Sequence, residues 1–363
     1  MDRPKVVRVI SYLTVGGVEK RLLAVLKELQ GEFDCQVVCI HSRGPLAEQF
    51  EKAGIPVVTI PFKGRFHPIS LLKLALFLRR NGVQIVHSHM YRPNASATVA
   101  ALLAQVPVRI ANVHNLQHWD NRRQKLTDAL LHPFRTHTIT VSWQVWREYL
   151  EEIKAYPEKT SVIHNGILLG EENGSAQSLF KELGIPPKAQ VVSCVARLVP
   201  QKGHRTLLEA WAEVEKRTSN PWLLIVGGGP LEEELKRQAK GLGLERVVFA
   251  GVRYEVDAIL KASCCTVLPS LKEGFSNVIL EAMAAATPAV VTAVGGAEEA
   301  MVHGETGILV EAGDPQGFVK PLLNLVSNPG LAKRMGLQAR ERQQRLFTLK
   351  AMAEKTSKLY KGF

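Results

Sequence analysis

Short apolar runs alternate with amphipathic stretches of helical period along both halves of the chain, and this alternation limits the possible folds more than any other feature. In the first half VVRVISYL, DCQVVCI, IPVVTI, VQIVHSH, VRIANVHN and HTITVS read as strands, with helices such as Val18 to Leu29 and Ile69 to Arg80 between them. In the second half QVVSCVARL, WLLIVGGG, RVVFAG, CCTVLPS and PAVVTA repeat the rhythm. Such a rhythm builds parallel sheets with helices on both faces. Because 363 residues exceed what one core usually holds, the expectation is an α/β protein of two doubly wound domains. The boundary lies in NGILLGEENGSAQS (Asn165 to Ser178), where Gly, Ser, Asn and acidic residues collect after a strand. It separates an N-terminal domain, 1–168, from a C-terminal one, 176–345. From Pro315 the tail reads as helical throughout, and its last helix, about 346–363, is a candidate to pack back on the first domain.

The formal charge of +12 is unevenly placed. Through Gly170 there are 22 Lys and Arg against 13 Asp and Glu, a surplus of 9, whereas the remainder has 24 against 21, a surplus of 3. A basic first half attracts anionic surfaces and phosphorylated molecules. The segment FKGRFHP (Phe62 to Pro68) interleaves aromatic and basic residues as an interfacial segment does, and Trp143 and Trp146 offer a second apolar contact. A peripheral contact with an anionic membrane is one expectation; nucleic acid is not expected as a partner. Five cysteines form no CxxC pair and no zinc-ligand spacing, which fits a reducing compartment. The N-terminus enters a strand pattern without a charged-then-apolar leader, and ISLLKLALFL is too short to span a bilayer. A cytoplasmic protein is expected.

Open parallel sheets bind ligands beyond the carboxyl ends of their strands, so two such sheets are expected to face one another across a ligand-binding cleft. After the first strand, Gly16 and Gly17 precede a helix whose free N–H groups point outward, either to admit a bulky anion or sugar or simply to form a tight turn. After the first strand of the second half, Arg197 and Lys202 lie across a turn leading into a helix. Two cations beside a helix N-terminus suit a diphosphate, unless they are ordinary surface charges. IVGGGPLEEEL offers Gly227, Gly228 and Gly229 but has Glu232 at the third glycine of a dinucleotide fingerprint, so strand-to-helix packing explains it as well as ligand contact does. His87 and His89 end one strand and His114 another. The first two lack a third metal ligand and suit capping or core hydrogen bonds, whereas His114 is the better functional candidate.

CCTVLPSLKEGFSNVILEAMA reads as strand, loop and helix, with Ser276 or Asn277 placed to cap and Gly274 leaving room for a ligand. Glu281 stands in a helix with almost no other polar residue and with no Lys or Arg three or four positions away. A buried carboxylate needs a partner, either the paired hydroxyls of a ligand or a distant cation.

Taken together, Glu273 and Glu281 in an E-x7-E arrangement, AMAAATPAVVTAVGGAEEAMVHGETGILV after them, and GGVEK, VSW, HNG, Arg197 with Lys202 and VLPSLKEGFSN in order resemble glycosyltransferase family 4 over nearly the whole chain. That resemblance implies the GT-B fold of two Rossmann-like domains. It also implies retaining, metal-independent transfer of a sugar from a nucleotide-diphosphate sugar, UDP-sugar foremost, to a glycan or lipid-linked acceptor hydroxyl in cell-envelope polysaccharide synthesis. By it Glu281 binds ribose hydroxyls, and Arg197 and Lys202 hold the diphosphate. Glu273 and the backbone of Gly274, Phe275, Ser276 and Asn277 contact the donor sugar, and Arg253 lies near the base. His114 lies near the transferred sugar, and Gly16 and Gly17 open the acceptor side. The chain has no DxD motif, so its cations and helix N-termini are left to neutralise the departing diphosphate. Two positions depart from the family pattern: Leu168, where many relatives carry Asp, and Ala286, where Gly is usual. A nucleotide-sugar 2-epimerase and a non-catalytic nucleotide- or glycan-binding protein are the competing expectations.

Overall fold

The computed structural model describes every residue except 1–2, 15, 65, 117, 168–175 and 219. Leu168 and most of the glycine- and acid-rich linker therefore lie outside the described residues. The chain divides into two compact units, Met1–Gly166 with Leu349–Phe363, and Ile167–Thr348.

In the first unit the strands are β1 (Lys5–Ile10), β2 (Asp34–Cys39), β3 (Val57–Thr59), β4 (Ile85–His89), β5 (Val108–Val113), β6 (His137–Thr140) and β7 (Thr160–Val162). Between them run α1 (Gly17–Leu29), α2 (Ala47–Lys52), α3 (Pro68–Arg80), α4 (Tyr91–Leu103), α5 (Arg122–Leu131) and α6 (Trp143–Ile153). The strands form one parallel sheet in the order β3-β2-β1-β4-β5-β6-β7, which reverses direction between β1 and β4. The second unit has α7 (Ala176–Glu182), β8 (Gln190–Val195), α8 (His204–Arg217), β9 (Pro221–Val226), α9 (Glu232–Gly241), β10 (Val247–Gly251) and α10 (Val256–Ala262). It continues with β11 (Cys265–Leu268), α11 (Asn277–Ala284), β12 (Ala289–Thr292), α12 (Ala297–Ala300), β13 (Ile308–Val310), α13 (Pro315–Ser327) and α14 (Pro329–Leu346). Its parallel sheet, β10-β9-β8-β11-β12-β13, reverses between β8 and β11.

Both sheets are covered on both faces, which explains the near-continuous apolar runs of their inner strands: β12 and β11 are buried along their whole length. The expected α/β architecture of two doubly wound sheets is thus present. β7 and β13 were not foreseen; each has three residues at the end of its sheet, too few to show a period. Nor is the tail helical throughout. Asn328 interrupts it before Pro329 and caps α14 by accepting from the Leu331 N–H at 3.1 Å, and Phe347 leaves the helical region before a final helix, α15 (Leu349–Lys361).

α15 belongs to the first unit, where Leu349, Ala353 and Tyr360 join the core formed by Leu22, Val25, Leu26 and Leu29 of α1 with Phe33. The Tyr360 ring meets Phe33 edge to face at 5.3 Å, Ser357 donates to Glu32 at 2.8 Å, and Lys361 pairs with the same carboxylate. Each apolar side chain buried there contributes about 1.5–3 kcal/mol.

Candidate active site

In the second unit the functional candidates collect where the strand order reverses, beyond the ends of β8 and β11. The chain leaves β8, passes Arg197, and makes a single helical turn at Pro200–Lys202 before entering α8. Gly203, at φ +67°, makes that entry possible: an added Cβ would meet the Pro269 carbonyl oxygen at 1.9 Å. The Leu271 N–H donates to the Gln201 carbonyl at 2.8 Å, which ties the loop after β8 to the loop after β11. The loop after β12 is locked on from the other side. Gly296 N–H donates to the Gly274 carbonyl at 2.7 Å, and Gly295, at φ +62°, lies where a Cβ would meet the Glu273 carbonyl oxygen at 2.0 Å.

This interlocked backbone brings Lys202 and Glu273 together as an ion pair, partly shielded from solvent, with Ser270 Oγ donating to the same carboxylate oxygen at 3.4 Å. Arg197 is exposed and has no protein partner among the described residues. Gly274, Phe275 and Ser276 are buried. The Phe275 ring packs on Phe347 at 5.5 Å, so only the backbone of that residue is available to a ligand. Ser276 holds the N-cap position of α11 but makes no side-chain cap bond, contrary to the capping role expected of it. Glu281, in the second turn of α11, is half-buried and is engaged by another group of the chain; it is not the isolated buried carboxylate that the apolar sequence suggested. Arg253 donates to the Ala250 carbonyl at 2.9 Å and to Glu182 at 3.0 Å, while its neighbours Val252 and Tyr254 stand exposed. In the glycine triplet, Gly227 and Gly229 press on the carbonyls of Ala196 and Leu198, so the triplet packs closely against the loop after β8.

In the first unit Gly16 is the N-cap of α1 and Gly17 its first residue. An added Cβ on Gly16 would lie 2.4 Å from the Glu19 carboxylate, which therefore occupies the space that the sequence left open to a ligand. His114, just past β5, is buried and shares its Nε2 with His89 Nδ1 at 3.0 Å. His89 Nε2 lies 3.1 Å from Arg8 Nη1, Arg8 also bonds His87 Nδ1, and Tyr360 OH meets that nitrogen at 2.7 Å. The β1–β4 register sets Arg8 beside His87, and the three rings stack in order. Burial, and next the Arg8 charge, hold the His87 and His89 imidazoles well below their ordinary pKa; burial, then Arg21, does the same to His114.

Sequence reasoning did not single out Arg8, because the partner of a strand residue is fixed by topology and not by local spacing. It also passed over Tyr12, His41 and Arg92, which with Phe62 and Lys63 of the FKGRFHP segment line an open pocket beyond the ends of β1, β2 and β3 and at the start of α4. The rule that flagged glycine turns, applied to every strand end, finds them. Of the two tryptophans, Trp146 is fixed by its Nε1 donating to Thr160 at 2.8 Å, while Trp143 is exposed. Among the described residues no helix is long and apolar enough to cross a membrane.

Comparison with known proteins gives the family and the fold. The family model for glycosyl transferases group 1 matches residues 175–342 and that for glycosyltransferase family 4 matches residues 15–170. The D-inositol 3-phosphate glycosyltransferase of Corynebacterium efficiens is 30% identical over 78% of this chain and 73% of its own length. The chain belongs to glycosyltransferase family 4. A second relative of this glycosyltransferase, the Escherichia coli UDP-Gal:alpha-D-GlcNAc-diphosphoundecaprenol alpha-1,3-galactosyltransferase, is 28% identical over 98% of this chain and 96% of its own. The crystal structure of Anabaena HepE in complex with UDP and glucose superposes with a TM-score of 0.88 at 21% identity, covering 99% of this chain and 100% of that one. The GT-B fold is thereby established, while the family and the curated relatives make the chain a glycosyltransferase.

Proposed function

We propose that the protein transfers a sugar, with retention and without a metal ion, from a UDP-sugar to a hydroxyl of a glycan or lipid-linked acceptor. The observation that carries this reading is the contact of Lys202 with Glu273 at the point where the second sheet reverses, framed by glycines that hold three loops backbone to backbone. A lysine ammonium has three donors, so it can retain Glu273 while giving hydrogen bonds to a phosphate. Arg197, exposed and unpaired among the described residues, supplies the second cation for the leaving diphosphate. Glu273 and the backbone from Gly274 to Asn277 take the donor sugar, Glu281 the ribose, and the turn at Arg253 the base. His114 lies by the transferred sugar, and Gly16 and Gly17 lie on the acceptor side. A relative whose name specifies UDP-Gal and a diphosphoundecaprenol acceptor supports the donor and acceptor classes. A thermal-shift screen of nucleotide sugars, followed by turnover of the best binder, tests the reading. UDP-sugars are expected to raise the melting temperature, with turnover unaffected by EDTA; turnover lost on chelation overturns the metal-free mechanism.

The acceptor is met at the cytoplasmic face of an anionic membrane. On α3 Ile69, Leu72 and Leu76 are exposed at 61%, 56% and 41%, beside exposed Lys73, Arg79 and Arg80. An apolar stripe edged by cations suits the interface of an anionic bilayer. Co-sedimentation with anionic vesicles, weakened by Leu72→Glu, is the expected result; equal binding to neutral and anionic vesicles contradicts it.

A further inference from the structure

The hydrogen-bond chain beneath His114 dictates where that ring carries its proton. Arg8 is 2% exposed and its guanidinium can only donate. At 3.1 Å from Arg8 Nη1, His89 Nε2 must therefore accept, which leaves the His89 proton on Nδ1. At 3.0 Å from that N–H, His114 Nε2 must accept in turn, which leaves the His114 proton on Nδ1. An imidazolium at either ring would set two donors against each other. The cavity alongside is lined by Arg8, Arg21, Asn112 and the three histidines, and no Asp or Glu contributes to its wall to favour a second proton. His114 Nδ1 is buried and has no hydrogen-bond partner among the described residues.

We infer that Arg8 is a positioning residue: acting through His89, it fixes His114 as the neutral Nδ1–H tautomer, so that the ring offers its ligand a hydrogen-bond donor and does not act as a base. The tautomer stands on the hydrogen bonds alone; its catalytic consequence rests on the proposed placement of His114 beside the transferred sugar. A donor N–H at that place takes an oxygen of the sugar or acceptor and leaves the acceptor proton to another group, in keeping with its transfer to the departing phosphate.

The test is nitrogen-15 NMR of the full chain labelled at histidine, with the His114 signals assigned by their loss in His114→Gln. The wild type is expected to show His114 protonated at Nδ1 and free at Nε2 at pH 7, the reverse of the tautomer that free histidine favours. Arg8→Met, which removes the donor, is expected to shift His114 toward the Nε2–H form and to lower kcat about tenfold. Arg8→Lys keeps a donor-only group and is expected to restore both the spectrum and most of the rate. A wild-type His114 protonated at Nε2 or at both nitrogens overturns the inference, as does an unchanged spectrum in folded Arg8→Met. Should Arg8→Met not fold, the wild-type spectrum still decides. Should the protein turn over no nucleotide sugar, the functional reading fails while the spectrum continues to judge the tautomer.

Discussion

Gly203 lies so close to Pro269 that a methyl group on its α-carbon would sit 1.9 Å from the proline carbonyl oxygen. Its φ of +67° adds a second objection to any side chain. Gly203→Ala is therefore expected to destabilise the protein by about 2–4 kcal/mol and to reduce transfer by displacing Lys202, its chain neighbour. Urea denaturation with parallel assays checks this; a variant of native stability and activity would show that the two loops part easily.

Lys202 and Glu273 form an ion pair in the proposed donor site, and they are expected to differ when mutated. Lys202→Met removes a cation from the leaving group and is expected to lower kcat about 10²–10³-fold. Glu273→Gln preserves shape and leaves Lys202 free, so diphosphate affinity is expected to hold or rise while transfer falls. Binding of UDP by calorimetry, set against turnover, separates the two. Loss of UDP binding in Glu273→Gln would argue that the carboxylate organises the site and does not touch the sugar.

Stability is expected to fall as the medium is acidified through the ordinary histidine range. Burial, followed by neighbouring arginine charge, keeps His87, His89 and His114 from taking up protons in the folded state. The unfolded chain takes them up below about pH 6.5, so the native advantage is complete above that pH and is lost as pH drops. Each such ring adds about 1.4 kcal/mol per pH unit to the slope well below it. Urea midpoints at successive pH values from neutral to mildly acid give the measurement; a flat profile would mean that the rings are protonated in the native protein.

Ala286 adopts φ +57°, a conformation in which glycine is unstrained. Its carbonyl oxygen also supports Gly336, where a Cβ would lie at 1.9 Å, so the backbone there has little freedom to relax. Ala286→Gly is expected to stabilise the protein by about 0.5–1 kcal/mol, the relief of left-handed strain exceeding the entropy that glycine adds to the unfolded chain. A lower urea midpoint in the variant would contradict this.

The alternation of apolar runs was enough to read both sheets, because inner strands covered on both faces have to be apolar throughout. β7 and β13 escaped for want of length. At the site, the residues that follow strands were legible by position: Arg197, Lys202, Glu273 and His114 all lie where the sheet ends. What stayed hidden was pairing. Nothing near Glu273 in the sequence points to Lys202, and VVRVI does not announce that its arginine lies beside the His87 imidazole across the β1–β4 ladder. Glu19 likewise lies against Gly16, because a side chain three residues on can fold back over a helix start.

Tyr360 seals a core whose other walls, α15 aside, come from Met1–Gly166. A ribosome delivers those walls before Ile167–Thr348 and this ring after it. The inserted unit therefore has everything it needs to fold before Met1–Gly166 receives α15, a reversal of the usual head-first order of co-translational folding.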